Sequence, residues 1–283
     1  MVQRTEKHKR YHYENMLPER EQFSDDTERV ARLLRTCRSV LFITGAGISA
    51  DSGLPTYRGP GGIYDGCTTE DGIPIESALS VDVFRKRPGV TWKYIARIEA
   101  ASRGRTPNRA HEVIAAMEPL FDRVCVLTQN VDGFHAAAGS TNVIPIHGNL
   151  HDLRCTSCSY RTSVPDYTGL ELPSTCPSCG AMIRPGVVLF GEQLPASEVE
   201  RLVHELELGF DIVFSVGTTS VFPYIAQPVL QAKARGVPTV EINPETTVLT
   251  GVFDFHIAGR AANVLDDLWR RYRAGHRPDT KGS

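Results

Sequence analysis

The chain has 283 residues, of which 41% are hydrophobic and 23% charged, and its formal net charge is -2. This composition is typical of a globular protein with one large domain, or one domain and a smaller partner. The sequence lacks the basic excess of an obligate nucleic-acid binder, the ~20 apolar residues of a membrane span and the apolar segment of a signal peptide, so we expect a cytoplasmic protein.

The first predicted element is an amphipathic helix at 24–37, where cap-type residues precede apolar residues at helical spacing. It leads into an apolar run at 39–44 of the kind that forms strands buried on both faces. Similar runs follow at 123–128, 142–146, 211–216 and 238–242. Helical patterns separate several of them, so we predict an α/β fold, a Rossmann-like parallel sheet with helices on both faces.

Three of these helical patterns lie at 107–118, 197–206 and 262–272. In the second of them we expect Val203 to be buried. Ser197 and Glu200 have the spacing of a capping box, which predicts that the helix begins at that serine.

Each apolar run is followed by glycine and small polar residues, namely "GAGIS", "QNVDG", "HGN", "GTTS" and "NPET". Ligands of open parallel sheets bind outside the carboxyl ends of the strands. Glycine lets the backbone approach a ligand closely, and small polar side chains hydrogen-bond riboses and phosphates. Five such loops at one edge therefore predict a nucleotide-sized site.

The turn Gly45–Ala46–Gly47 is only a weak match to a dinucleotide-binding fingerprint, which requires G-x-G-x-x-G. Here the next glycine is Gly53, and the polar loop continues beyond it. This variant spacing indicates a dinucleotide that is held differently, with a flexible loop closing over one end.

Four cysteines form two C-x-x-C pairs, Cys155 with Cys158 and Cys176 with Cys179, at the spacing of a zinc site. Disulfides are the alternative, but a reducing compartment disfavours them. Four thiolates leave no open coordination position for water, so the predicted Zn²⁺ is structural, one per chain.

We assign 24–57, 106–150 and 188–273 to the nucleotide-binding domain and 58–105 with 151–187 to a small helical and zinc-ribbon domain, leaving 1–23 and 274–283 as extensions.

Seven segments together resemble the sirtuins, a family of NAD-dependent protein-lysine deacylases. They are "GAGISADSGLPTYRG", "TQNVDGFHAAAG", "IHGNL", the paired cysteines, "VVLFGE", "VGTTSVFP" and "EINPE". The resemblance spans residues from about 28 to 270. It implies removal of an acyl group from lysine with NAD, giving nicotinamide, O-acyl-ADP-ribose and free lysine. It also implies acyl-lysine proteins as partners, bound as an extended strand. From composition and charge we expect neither a membrane nor a specific nucleic acid as a partner.

The resemblance implies catalytic roles for His147, as general base, and Asn130. It implies NAD contacts by Gly45, Ala46, Gly47, Ser49, Thr56, Tyr57, Arg58, Gln129, Asn130, Asp132, Gly217, Thr218, Asn243, Glu245 and Ala261. It implies that Val188, Phe190 and Gly191 lie along the acyl-lysine channel.

The chemistry of histidine supports the role of His147 independently, because an imidazole has its unperturbed pKa near neutral pH. For an isolated histidine before a glycine, a structural role is the alternative. Its position among polar strand ends favours catalysis, and the sequence contains no G-x-S-x-G elbow for a serine nucleophile.

Tyr94 and Arg97 are three residues apart in a predicted helix and resemble the Y-x-x-R pair with which one sirtuin branch binds an acidic acyl group. Thr56, in place of the aspartate common in the family, also occurs in that branch, while Tyr57 keeps an aromatic ring. These residues imply a preference for succinyl or malonyl groups, with acetyl also removed. The alternative is that both face water.

Three other functions remain open at this stage. The first is a deacetylase without acidic-acyl preference, and the second is ADP-ribosyl transfer to protein from the same NAD site. The third is a zinc-ribbon interaction module on a nucleotide-sensing domain without catalysis. A sensor does not require Gln129, Asn130, Asp132 and His147 together.

Overall fold

The computed structural model describes residues 19–56 and 68–275, with side chains from residue 25 onward. Within these ranges, no helix combines the length and apolarity needed to cross a bilayer. The helices are α1 Glu19–Leu34, α2 Ala46–Ser49, α3 Ile75–Ala78, α4 Val81–Lys86, α5 Pro88–Ser102, α6 Arg109–Met117, α7 Phe134–Ala137, α8 Ala196–Leu208, α9 Pro223–Ala234 and α10 Ala261–Gly275. The strands are β1 Ser39–Thr44, β2 Arg123–Thr128, β3 Val143–Pro145, β4 Gly148–Cys155, β5 Arg161–Ser163, β6 Ile183–Val187, β7 Ile212–Val216, β8 Thr239–Ile242 and β9 Phe255–Ile257.

Six strands form a sheet in the order β3-β2-β1-β7-β8-β9, and every neighbouring pair is parallel. β1 lies near the centre, where Val40 pairs with Val124 on one side and Ile212 on the other. The predicted parallel α/β fold is confirmed. β9 was not predicted, because His256 interrupts its two apolar residues and leaves no continuous apolar run.

Both faces of the sheet are covered by helices, which explains why its strands are continuously apolar. On one face, α1, α6 and α10 pack over Phe42 and Phe214, whose rings stack with their centroids 4.9 Å apart. On the other face, Leu41 and Ile43 join apolar residues of α8 and α9 in a second cluster. The hydrophobic effect thus fixes the sheet from both sides and holds the carboxyl ends of its strands along one edge.

Three expectations about the helices were wrong in detail. α1 begins at Glu19 and ends at Leu34, earlier than the predicted 24–37 at both ends. α8 begins at Ala196 after Pro195, with no side-chain cap, so Ser197 lies inside the first turn and cannot cap it. Leu202 faces the sheet, whereas Val203, about 100° further around the helix, is 49% exposed.

A second unit contains an antiparallel three-stranded sheet in the order β5-β4-β6, packed with α3, α4 and α5 in one apolar cluster. Trp92 of α5 is buried there, and its indole N–H donates to the carbonyl oxygen of Ile183 at 3.3 Å. β4 already begins at Gly148, so the proposed boundary at residue 150 falls within a strand. The second unit adjoins the carboxyl ends of the parallel strands through β4.

Candidate active site

The loops that follow β1, β2, β7 and β8 line one cavity of about 670 Å³. Gly45, Gln129, Gly217 and Asn243, each directly after a strand of the parallel sheet, contribute to its wall. Leu79 and other residues of the second unit form the opposite wall. The volume lies within the range of sites that enclose a small-molecule ligand.

The turns after β1 and β7 touch through their backbones. The Gly47 N–H donates to the carbonyl oxygen of Gly217 at 2.8 Å. A Cβ atom on Gly47 would lie 2.6 Å from the Gly217 Cα, and Gly217 itself has a φ of +59°. Glycine is therefore required on both sides of this contact, which brings two distant loops to the same point of the cavity wall.

Thr218 links three of the loops around the cavity. Its hydroxyl oxygen accepts a hydrogen bond from the Gln129 side-chain amide at 2.7 Å and another from the Ser220 N–H at 3.2 Å. Its carbonyl oxygen accepts from the Asn243 side-chain amide at 3.1 Å. These hydrogen bonds hold the three loops together. The side chain of Glu245, which also lines the cavity, takes no part in them.

Asn130 is buried and bound by the turn after β1. Its side-chain N–H groups donate to the Gly45 carbonyl oxygen at 3.0 Å and the Ser49 hydroxyl at 3.2 Å. The Ser49 hydroxyl in turn donates to Asp132 Oδ2 at 2.8 Å. Burial raises the pKa of Asp132, although hydrogen bonds from the Phe134 N–H and from Ser49 oppose the rise. Ser49, Asn130 and Asp132 line a smaller cavity of about 30 Å³, which shares wall residues with the main one.

A buried network supports Asn130 from behind. The Asn130 N–H donates to the Thr128 hydroxyl at 3.1 Å, and that hydroxyl lies 2.9 Å from the Thr44 hydroxyl. The His135 Nε2 atom lies 2.9 Å from the same Thr44 oxygen. Burial holds the pKa of His135 well below its ordinary value, so this ring is neutral near pH 7 and serves to position its neighbours.

The Nε2 atom of His147 points toward the aromatic side chains of Phe222 and Tyr224, which also line the cavity. Its Nδ1 lies 3.0 Å from the Gln129 carbonyl oxygen, and because a carbonyl only accepts, Nδ1 carries the proton. Nε2 is then the lone-pair nitrogen, and it accepts from the Tyr224 hydroxyl at 2.7 Å. The rings of Phe222 and Tyr224 stack on each other, and both pack edge-on against the imidazole. This tautomer is the one that a general base requires.

The segment from Val187 to Gly191 forms another wall of the cavity and is tied down along its length. The Val188 N–H donates to the His147 carbonyl oxygen at 2.9 Å, and the Phe190 N–H donates to the Leu79 carbonyl oxygen at 3.0 Å. This placement brings Val188 and Phe190 beside His147, as the resemblance implied for an acyl-lysine channel.

A buried ion pair holds the same segment. Arg184 donates to both carboxylate oxygens of Glu192, at 2.5 and 2.9 Å, and to the Val187 carbonyl oxygen at 2.9 Å. Glu192 also accepts from the Leu189 N–H at 2.9 Å. Burial alone would raise the pKa of Glu192, but the hydrogen bonds from Arg184 and Leu189 outweigh it and hold that pKa below its usual value.

The four predicted cysteine ligands come together. Their sulfur atoms all lie within 4.8 Å of one another, with Cys155 and Cys179 3.4 Å apart and Cys158 and Cys176 3.7 Å apart. A tetrahedral Zn²⁺ with bonds of about 2.3 Å places its sulfur ligands about 3.8 Å apart, whereas a disulfide requires about 2.05 Å. Hydrogen bonds from the Cys158 and Ser157 N–H groups lower the pKa of the Cys155 thiol to about 6. The donor set fits a structural zinc ion and not a disulfide pair.

Comparison with known proteins explains this arrangement, since the model of the Sir2 family matches residues 45–223. The chain belongs to the Sir2 family. It is 47% identical to NAD-dependent protein deacylase 2 of Pseudomonas syringae pv. tomato, over 85% of this chain and 98% of that protein. It is 37% identical to NAD-dependent protein deacylase 1 of Archaeoglobus fulgidus, over 87% of this chain and 98% of that protein.

Solved structures of the Sir2 family agree with the fold. A Sir2 homologue in complex with NAD is 35% identical, with a TM-score of 0.79, and the match covers 87% of this chain and 94% of that one. A Sir2 complex with a p53 peptide and NAD⁺ is 26% identical, with a TM-score of 0.75, covering 87% and 98%.

Most of the residues that the Sir2 resemblance implied for NAD reach one of the two cavities. They are Gly45, Ala46, Gly47, Ser49, Thr56, Gln129, Asn130, Asp132, Gly217, Thr218, Asn243 and Glu245. Ala261 is buried at the start of α10 and is not among the lining residues, whereas its neighbour Arg260 is. Tyr57 and Arg58 lie outside the described residues.

Tyr94 and Arg97 are not among the described residues that line the cavity, and their contact with an acidic acyl group stays a prediction. The Tyr94 hydroxyl donates to Asp71 at 2.6 Å, and Arg97 donates to both carboxylate oxygens of Glu70, at 3.0 and 2.9 Å. The cavity is reached instead from the same helix by Ile95. One residue rotates a helix by about 100°, so spacing three apart cannot say which pair faces inward.

Sequence reasoning also missed several residues of this Sir2 site. The aromatic pair in "VFPY", directly after the polar loop of β7, could have indicated Phe222 and Tyr224, which hold the His147 ring. No sequence pattern indicated the Arg184–Glu192 ion pair, because a charged residue inside a short strand does not identify a partner eight residues later in the chain.

Replacing Arg184 with glutamine is expected to raise KM for an acylated peptide about tenfold or more, because Glu192 is left buried without its cation and releases the segment from Val187 to Gly191. KM for NAD should change less. Arg161→Gln, at an exposed position of the neighbouring β5, is the matched control. Steady-state kinetics with each substrate varied, together with Tm, tests this. A lower Tm with both KM values unchanged would show that the ion pair stabilises the fold but does not position the segment for peptide binding.

Proposed function

We propose that this protein is an NAD-dependent protein-lysine deacylase, which uses NAD to remove acyl groups from lysine side chains. One observation carries the proposal. The lone-pair nitrogen of His147 stands at a cavity whose wall is the glycine contact between the turns after β1 and β7. The names of its relatives, NAD-dependent protein deacylases, agree with this activity.

The cavity wall fits an NAD molecule. The Gly47–Gly217 contact leaves no room for a side chain where the backbone must approach a pyrophosphate. Asn243 and Glu245, beyond β8, supply polar groups for the adenosine half. When bound, NAD supplies an ADP-ribosyl group with nicotinamide as a cationic leaving group. Asp132, once ionised, attracts the positive charge of the bound nicotinamide ring, and the smaller cavity beside it, about 30 Å³, has to widen toward the main cavity to admit that ring.

His147 serves as the general base of the proposed reaction. The Gln129 carbonyl holds the proton on Nδ1, so Nε2 can accept a proton from a hydroxyl group at the cavity. The Tyr224 hydroxyl occupies Nε2 in this structure, and a substrate hydroxyl takes its place. Asn130 is held rigidly by Gly45 and Ser49 and orients the groups around the reacting carbon.

The substrate is a protein that presents acyl-lysine as an extended strand along Val188–Gly191. A solved Sir2 complex that contains a p53 peptide together with NAD⁺ supports a peptide substrate. Four cysteines at the sulfur separations of zinc ligands rather than of disulfides agree with a reducing compartment, and we place the protein in the cytoplasm.

The test uses the full chain, NAD and one peptide bearing acetyl-lysine, with the unacylated peptide as control. We expect nicotinamide release only with the acylated peptide, and one nicotinamide for each lysine that mass spectrometry shows to be freed. Radiolabel from NAD that accumulates on protein while the acyl group stays would instead assign ADP-ribosyl transfer. Binding of NAD without nicotinamide release would leave a nucleotide-sensing module and overturn the proposal.

A further inference from the structure

The strand β8 carries a buried carboxylate, Glu241, between two apolar residues. Val240 and Ile242 join the apolar cluster under α1, α6 and α10. Because side chains alternate along a strand, Glu241 lies on the opposite face of the sheet, where it is fully buried. A buried carboxylate costs free energy unless its oxygens are hydrogen-bonded, so its partners indicate its role.

Both oxygens of Glu241 accept hydrogen bonds from the segment that follows β8, residues 243–250, which we call the β8 loop. The Thr247 hydroxyl donates to Oε1 at 2.5 Å, and the Thr250 hydroxyl donates to Oε2 at 2.6 Å. The Nε2 atom of His256, on the neighbouring strand β9, lies 3.8 Å from Oε2, which is too far for a hydrogen bond. Two donors that satisfy this buried carboxylate therefore belong to the β8 loop.

The same two hydroxyl groups also bind the backbone of the β8 loop. The Thr250 hydroxyl oxygen accepts from the Thr247 N–H at 2.7 Å, and the Thr247 hydroxyl oxygen accepts from the Leu249 N–H at 3.2 Å. Each hydroxyl thus accepts from the loop and donates to Glu241, which uses one oxygen for each. A glutamine in place of Glu241 has only one such oxygen.

Apolar contacts contribute little to holding the β8 loop. Val248 is 76% exposed, and residues 244–246 are exposed as well. The hydrophobic effect scales with the apolar area removed from water, so this segment gains little from it. At its first residue the loop is held by Asn243, whose side-chain amide binds the Thr218 carbonyl oxygen. Further along, the hydrogen bonds to Glu241 hold it.

The β8 loop also forms part of the main cavity, which residues 243–247 line. Thr247 therefore has two roles, since it lines the cavity and its hydroxyl binds Glu241. Glu241 and Thr250 are not among the described residues that line the cavity. Any effect of Glu241 on a ligand in the cavity is thus transmitted through the loop.

We propose that Glu241 is a positioning residue for NAD, which holds the β8 loop in the conformation that receives the adenosine half. This inference rests on the proposed deacylase function, in which that loop supplies polar groups for adenosine. A loop that is already fixed does not have to be ordered when NAD binds, so binding does not lose the free energy that ordering costs.

The nearly isosteric variant Glu241→Gln tests the proposal. We expect Kd for ADP-ribose, measured by isothermal titration, to rise about tenfold, because a hydrogen bond to a carboxylate is lost. KM for NAD should rise in parallel, while kcat and KM for the acylated peptide stay close to wild type. Hydrogen exchange of the protein without ligand should become faster in residues 243–250. An unchanged Kd for ADP-ribose would overturn the proposal, whatever the change in Tm.

Variants of two threonines separate positioning from stability, also if Glu241→Gln does not fold. Thr250→Val removes one donor and should raise Kd for ADP-ribose, whereas Thr250→Ser keeps the hydroxyl and should bind like wild type. Thr239→Val is the matched control, because it removes a buried hydroxyl bound to Asp254 on the same face of β8. It should lower Tm without changing Kd. If it raises Kd as much as Thr250→Val does, the positioning role is wrong.

The wild-type protein separates failure of this inference from failure of the proposed function. If it binds neither ADP-ribose nor NAD, the proposed deacylase function is wrong. If it binds ADP-ribose and frees acylated lysine with NAD, while Glu241→Gln and Thr250→Val bind ADP-ribose equally well, the deacylase function stands and the role of Glu241 is wrong.

Discussion

A His147→Ala variant is expected to remove acyl groups about 10²- to 10⁴-fold more slowly than the wild-type protein, because it lacks the nitrogen that takes up the proton. In the present structure that nitrogen is Nε2, since the Gln129 carbonyl fixes the proton on Nδ1. The effect should appear in kcat, because the half-buried ring lines the cavity and is assigned to proton transfer rather than to holding NAD. Single-turnover deacylation, with NAD affinity measured by titration, makes the comparison.

Two further variants test whether the loss of activity in His147→Ala reflects the loss of a general base. His204→Ala, on the exposed face of α8, controls for removal of any histidine and should be fully active. Tyr224→Phe keeps the ring stacked on Phe222 but removes the hydroxyl at Nε2, so it should retain most activity. If His147→Ala stays within threefold of wild type, another group is the base. If it loses NAD binding in proportion, His147 is structural.

Replacing Cys176 and Cys179 with serine together should abolish zinc binding and unfold the small unit around β4 and β6. Structural zinc contributes on the order of 10 kcal/mol to the folding of small metal-stapled modules, more than the total stability of many domains. Deacylation should be lost as well, because β4 starts at Gly148 and the Val188 N–H, just beyond β6, binds the His147 carbonyl.

The zinc prediction is checked by metal analysis, far-ultraviolet circular dichroism and Tm. We expect one zinc per wild-type chain, none in the double variant, and a Tm lower by tens of degrees or a separate early transition. Cys37→Ser, a half-buried thiol outside the module, should keep both zinc and Tm close to wild type. A double variant that retains one zinc would show that other residues complete the site.

The predictable parts of this molecule are those that local patterns specify. Buried parallel strands read as apolar runs, and the glycines and polar residues at their ends mark the ligand edge before any geometry is known. The two C-x-x-C pairs likewise define a metal site through spacing alone, because each knuckle is a local structure.

The unpredictable parts depend on rotation about a helix axis or on contacts between distant segments. The face of α5 that meets the cavity is set by how Trp92 and Ile95 pack against the second sheet, so Tyr94 and Arg97 could not be placed from their spacing. Val203 on α8 was misassigned for the same reason. The Tyr224 contact to His147 joins residues 77 positions apart, and no short pattern contains it.

The central position of β1 in the sheet constrains the order in which the protein folds during its synthesis. Its Thr44 contacts Thr128, 84 residues later, and its Ser39 contacts Asp211, 172 residues later. A chain emerging from the ribosome therefore completes its cysteine module before β7 and its turn exist. Zinc can be captured by the nascent chain, whereas NAD cannot assist folding until synthesis is nearly finished. Until β7 has been synthesised, β1 exposes an unpaired apolar edge, so we expect the incomplete chain to bind chaperones.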